Sequence, residues 1–342
     1  MKAAVFEGAN QPLAIKDCAI PAPARGEALI KVAACGVCHT DLHYLDHGVP
    51  TFKAPPIILG HEAAGVIEEL GPEVSNCKPG DRVLIPAVFT CGACEYCRNG
   101  RENICRNMVM LGNHRDGAFA DYVSVPAKDL IALPKEIPLQ EGAIIADAIS
   151  TPFHALKNRA NLRAGDVVVV FGCGGVGINL VQLASAMGGV VVAVDINEKK
   201  LELAKAFGAW AVVHAGESVD ISKEIRKITG GGADIAIEAI GNPKTMEQAF
   251  GCLKTGGRLI VLGYYDGAVT FPAGRIMFRE MEIIGSLGCR PVDYFKIVEL
   301  VKTGKLKLKE LVTHRFSLAQ VNEGLDLLRN PTDSVLRSIV IP

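Results

Sequence analysis

Residues 167–194, VVVVFGCGGVGINLVQLASAMGGVVVAV, carry no charged side chain. The run opens on four valines, breaks at a glycine cluster and ends in a second valine-rich stretch. Its length would suit a membrane span, but its pattern reads as buried strand, tight turn, helix and buried strand. The alternation continues downstream. EKKLELAKAFG predicts a helix, AWAVVH a strand, DISKEIRKIT a helix, ADIAIEAI a strand, PKTMEQAFGCL a helix and GGRLIVLG a strand. Strands and helices in alternation predict a parallel, doubly wound α/β sheet, here over residues 151–285. Residues 1–150 differ: short Val/Ile segments such as GEALIKVAACGVC and KPGDRVLIPAV stand between Pro/Gly turns. They predict an irregular antiparallel barrel. The closing VLRSIVIP reads as a strand that could return to either domain.

Length agrees with two domains, because 342 residues exceed what one core usually supports. Apolar residues make up 49% and charged residues 21%, and the net charge is −1. That balance offers no surface for a polyanion, so nucleic acid is not expected as a partner. The N-terminal MKAAVFEGANQPLAIKD has no apolar core of signal-peptide length, and a cytoplasmic, membrane-free protein is expected.

Four of the 11 cysteines lie close together in CGACEYCRNGRENIC: Cys91, Cys94, Cys97 and Cys105. Thiolates at this spacing can surround one ion, either a structural zinc or the iron of an iron–sulfur cluster. A disulfide framework would need an oxidising compartment. Four protein ligands leave no open position, so a zinc held here would do no chemistry.

The valine strand 167–171 runs into Gly172-Cys173-Gly174-Gly175-Val176-Gly177, and the next strand ends at Asp195. A glycine turn between strand and helix lets a backbone approach a pyrophosphate at the helix N-terminus. An acid at the end of the following strand suits the adenosine ribose hydroxyls. The plain alternative is a glycine-rich turn closing an ordinary βα unit.

The densest chemistry lies in GVCHTDLH, residues 36–43, followed by GHEAAG, residues 60–65. Together with CGVCHTDLH, LGHEAAGVI, the four-cysteine lobe, GCGGVG and VAVDINEKKL, these segments make the chain resemble the zinc-dependent medium-chain alcohol dehydrogenases along its whole length. The resemblance implies a GroES-like catalytic domain, 1–150 with 286–342, and a Rossmann NAD-binding domain, 151–285. It implies two zincs per chain, the structural one on the four cysteines and a catalytic one on Cys38, His61 and a third ligand. That ligand is usually cysteine; here the matching position in IIADAISTPFHAL is Asp147. A carboxylate keeps the charge of a thiolate and binds zinc at similar length to an imidazole. The alternative is that Asp147 caps the following helix, with Glu62 or water completing the shell.

The other residues take implied roles. Thr40 holds the substrate oxygen, and a proton relay continues through the cofactor ribose to His43. Asp41 orients His61, and Glu62 assists ligand exchange. His39 and Arg337 contact the pyrophosphate, Lys200 the ribose, and Thr151 the nicotinamide. The charge of Asp195 disfavours a 2′-phosphate, so NAD is expected rather than NADP. His47, His114 and His154 are expected to be structural, although His47 and His114 could reach the substrate.

The expected reaction is reversible hydride transfer between a primary or secondary alcohol and NAD. Polyol dehydrogenases and 6-hydroxycyclohex-1-ene-1-carbonyl-CoA dehydrogenases share the frame, and aspartate in place of cysteine resembles the latter. A non-catalytic NAD and zinc sensor is the remaining alternative. A small-molecule alcohol or carbonyl partner and a homo-oligomer, with a tetramer favoured, complete the expectation.

Overall fold

The computed structural model describes residues 1–216, 219–330 and 335–342. The chain divides into two compact units, Met1–Ser150 with Gly288–Pro342, and Thr151–Leu287.

In the first unit the ten-residue strand Glu27–Gly36 is the organising element. Its inward positions Ala28, Ile30, Ala34 and Cys35 are fully buried. It pairs antiparallel with three others, Glu62–Leu70, Tyr122–Pro126 and Arg337–Ile341. Arg82–Ile85 and Ile131–Ala132 extend the sheet on one side and Val312–Ser317 on the other, the last pairing parallel with Arg337–Ile341. The VLRSIVIP segment thus returns to the first unit. A smaller sheet joins Ala14–Asp17, Lys2–Phe6 and Ile57–Ile58.

The register Gly36↔Glu62 places the ends of two paired strands side by side. Cys38 lies two residues past one strand, and His61 immediately precedes the other. Gly36 is needed at that crossing, because a Cβ there would stand 1.6 Å from the Glu62 carboxylate.

The second unit is a six-stranded parallel sheet in the order Ala211–His214, Val190–Asp195, Val167–Phe171, Ala233–Glu238, Leu253–Val261 and Glu282–Gly285. Val168, Val169 and Val170 are fully buried, as a strand covered on both faces requires. The uncharged segment after the glycines becomes the helix Gly177–Ala186, buried from Ile178 to Ala184. No helix among the described residues is long and apolar enough to cross a membrane.

Two helices, Pro291–Lys302 and Val321–Arg329, were not anticipated from the sequence. Each has an apolar stripe only a few residues long, and Pro291 sits at a first-turn position where proline is tolerated rather than disruptive.

Candidate functional site

GVCHTDLH folds as the end of a strand followed by the helix His39–Leu45. Asp41 closes the helix start, accepting the Cys38 backbone N–H at 3.0 Å on Oδ2. Its other oxygen, Oδ1, is buried without a hydrogen-bond partner and faces His61 Nδ1 at 3.7 Å. That separation is longer than a hydrogen bond. The acid expected to orient His61 therefore also caps the helix that carries Thr40 and His43.

Cys38, His61 and Asp147 converge. Cys38 Sγ donates to Asp147 Oδ2 at 3.4 Å, and His61 Nε2 lies 3.7 Å from the same oxygen. Tetrahedral zinc with ordinary bond lengths separates neighbouring ligand atoms by about 3.3–3.8 Å, so this spacing fits the ion. Asp147 ends the short 3-10 turn Ala143–Ala146 and is partly exposed, while Cys38 and His61 are buried. The electrostatics also call for a cation. Burial opposes a charge on His61, yet Asp147, Asp41 and Cys38 outweigh it and raise its pKa well above the ordinary value. Thr40 lies against the site, its hydroxyl 3.7 Å from Cys38 Sγ.

Behind these donors lies a contact the sequence did not disclose. Glu62 is fully buried and takes Arg337 Nε at 2.8 Å and Nη2 at 2.6 Å on one oxygen. Its other oxygen accepts the Ala148 N–H at 2.7 Å, one residue past Asp147. Burial pushes the Glu62 pKa up to about 7 against the opposing pull of Arg337. Arg337 Nη2 also stands 3.6 Å from Asp147 Oδ2. The arginine expected at a pyrophosphate is thus held in the barrel, on the acid beside the metal donors. Two residues 275 positions apart leave no local signature.

The four cysteines are gathered by the short helix Glu95–Arg98 and the turn Glu102–Ile104. The sulfur separations are 3.4, 3.5, 3.8 and 3.9 Å for the Cys91–Cys105, Cys94–Cys97, Cys94–Cys105 and Cys91–Cys97 pairs. These are far from a disulfide bond and close to the edge of about 3.8 Å that a zinc–thiolate tetrahedron requires. Backbone N–H groups of Ala93 and Cys94 lower the Cys91 pKa to about 6, whereas burial and neighbouring thiols raise Cys97 to about 12. Four thiolates cannot coexist here without a cation.

In the second unit Gly172 has φ +89°, and a Cβ on Gly177 would stand 1.7 Å from the Gly172 carbonyl oxygen. Gly174 faces open space, with nothing within 4 Å of its Cβ position. This is the cradle a pyrophosphate needs, and Gly175 and Val176 complete the turn into the helix. Asp195 ends its strand as expected and braces the turn: Oδ2 accepts the Cys173 N–H at 2.7 Å and Oδ1 the Asn197 N–H at 2.9 Å. Lys200 lies in the helix Glu198–Ala206, its backbone N–H donated to the Asn197 cap. Thr151 falls at the start of this unit, in the helix Ser150–His154.

The histidines also sort. His39 is exposed at the helix start and His43 is half-buried. His43 Nδ1 lies 3.1 Å from Nδ1 of exposed His47. His114 stacks on Phe52 with ring centroids 4.1 Å apart and accepts the Met110 N–H. His154 is buried against Asn158, Nδ1 to Nδ2 3.1 Å.

A parallel nucleotide-type sheet and a barrel with one three-donor and one four-thiol metal site define a metal-dependent, nucleotide-linked oxidoreductase. The chain matches the alcohol dehydrogenase GroES-like domain over residues 24–135 and the zinc-binding dehydrogenase domain over residues 175–303. It is 37% identical to an alcohol dehydrogenase of Geobacillus stearothermophilus, with 90% of each chain covered. It is 34% identical to an NAD-dependent alcohol dehydrogenase of Sulfurisphaera tokodaii, with 97% of each covered. The solved structure of a cobalt- and zinc-bound thermostable alcohol dehydrogenase from Pyrobaculum aerophilum superposes with TM-score 0.90 at 30% identity, covering 100% of this chain and 99% of that one. The chain belongs to the zinc-dependent medium-chain alcohol dehydrogenase family.

Proposed function

We propose that the protein oxidises a primary or secondary alcohol to the aldehyde or ketone, reversibly and with NAD, at a zinc held by Cys38, His61 and Asp147. The observation that carries this is the convergence of these three donors; three protein ligands would leave a zinc one open position for the substrate. When bound, zinc acts as a Lewis acid toward the alcohol oxygen, and NAD accepts the hydride. Cys38 and Asp147 supply the two negative charges that balance the ion. Asp41 Oδ1, which faces His61 Nδ1 at 3.7 Å, favours the tautomer that leaves Nε2 for the metal. Glu62 and Arg337 neutralise each other and anchor the Ala148 N–H, which holds Asp147 in place. Thr40 would accept a hydrogen bond from the substrate hydroxyl and pass its own proton by way of the cofactor ribose to His43, which takes it toward solvent. Cys91, Cys94, Cys97 and Cys105 hold the second, structural zinc.

Gly172, Gly174, Gly175, Val176 and Gly177 would form the pyrophosphate turn, with His39 as a further candidate contact. Asp195 and Lys200 take the adenosine ribose, and Thr151 packs at the nicotinamide. The carboxylate of Asp195 repels a 2′-phosphate, which favours NAD. A homo-oligomer, a tetramer in our reading, is supported by the edge strand Glu282–Gly285 and its neighbours Met277 and Phe278, which are 73% and 84% exposed. Molar mass by light scattering decides that point.

The functional test is a panel of alcohols, polyols and cyclic hydroxyacyl-CoA thioesters, scored by NADH formation with zinc-loaded protein. Turnover of simple alcohols supports the proposal; turnover of thioesters alone replaces its substrate, and none at all on the panel refutes it.

A further inference from the structure

Thr40, His43 and His47 follow one another at intervals of three and four residues, the spacing of a single helix face. Thr40 lies at the metal donors, His43 is half-buried, and His47 is exposed just past the helix end. The two imidazoles meet through their Nδ1 atoms at 3.1 Å, with ring centroids 5.3 Å apart. At that distance one Nδ1 carries a hydrogen and the other accepts it. We propose that His43 and His47 form a two-histidine proton outlet, in which His47 is the station that exchanges with water. This rests on the alcohol dehydrogenase reading.

The net step moves one proton. The O–H bond of the alcohol breaks and an N–H bond forms on the pair. One N–H bond of the pair then breaks to water. Asp46 separates the two histidines in sequence. It is tied by Arg329 of the helix Val321–Arg329, Oδ1 to Nη2 2.7 Å and Oδ2 to Nε 2.7 Å. Arg329 together with His47 holds Asp46 below the usual carboxylate range. Asp326 on the same helix shares Arg329, His39 opens the histidine helix, and Asp41 is turned inward onto the Cys38 backbone. His47 is therefore a positioning and relay residue that acts through His43 and does not touch the substrate.

The test has two arms on the zinc-loaded, NAD-bound protein. In nitrogen-15 spectra, wild type should show a downfield imidazole N–H proton on an Nδ1 nitrogen. The resonance should vanish in both His43→Gln and His47→Gln. Its absence from wild type, or its survival in His47→Gln, overturns the shared proton whatever the activity. In stopped flow with ethanol and cyclohexanol, NADH absorbance reports hydride transfer and an indicator dye in weak buffer reports proton release. In His47→Ala proton release should lag hydride transfer by about tenfold, and added imidazole should remove the lag while KM stays unchanged. Synchronous release in His47→Ala overturns the outlet. Wild type that forms no NADH with either alcohol counts against the functional reading instead, and the resonance alone then decides whether the rings share a proton.

Discussion

At the scale of single residues, the decisive group in the proposed function is Asp147, because as a ligand it would set both the charge and the hardness of the metal site. Oxygen donates less charge than sulfur, so a zinc bound here is a stronger Lewis acid than one with a second thiolate. Arg337 is the surprise at this scale. It is buried against Glu62 and within 3.6 Å of Asp147, so removing it strands a buried carboxylate beside the donors. Arg337→Met should cost about 3–5 kcal/mol in denaturant unfolding, and adding Glu62→Leu should recover much of it. A loss below about 1 kcal/mol would mean that the pair carries little of the barrel. Asp195 braces the glycine turn and, in the proposed function, also faces the ribose. Asp195→Ala should weaken NADH binding and narrow a preference over NADPH that in wild type is at least about a hundredfold. Equal affinities in wild type, measured by fluorescence titration, would contradict the cofactor assignment.

At the scale of elements, how much the sequence revealed depended on how local each signal was. The four-cysteine lobe lies within fifteen consecutive residues, so spacing alone suggested a metal site. The glycine turn lies between two valine strands whose burial needs no distant partner to be recognised. The three-donor site is different: positions 38, 61 and 147 meet only because Gly36 pairs with Glu62 and a 3-10 turn delivers Asp147. Only resemblance joined them in advance, and the Glu62–Arg337 contact was not foreseen at all. The pairing makes its own prediction. Gly36→Ala would drive a methyl into the Glu62 carboxylate, and stability should fall by about 3 kcal/mol or more. Wild-type stability by chemical denaturation would show that the strand crossing is looser than described. In the lobe, Cys94→Ser should lose one zinc per chain and lower the thermal midpoint, because a closed site contributes folding energy directly. Unchanged metal content and midpoint would remove the structural role.

At the scale of the whole molecule, two folding units carry complementary chemistry: one supplies two metal sites, the other a nucleotide cradle. The fold class was legible in alternation and turn composition, whereas the late helices 291–302 and 321–329 were missed because their apolar stripes are short. The central claim is that the chain holds two zincs, one of them through Asp147. The most direct measurement is zinc content per chain by elemental analysis of wild type, Asp147→Asn and Asp147→Cys after identical dialysis. Loss of a charged ligand should empty the three-donor site in Asp147→Asn, while Asp147→Cys rebuilds a thiolate site. The account predicts two, one and two zincs in that order, given the two donor groups present. Two zincs retained in Asp147→Asn, with alcohol turnover unchanged, would contradict it and leave Asp147 as a helix cap.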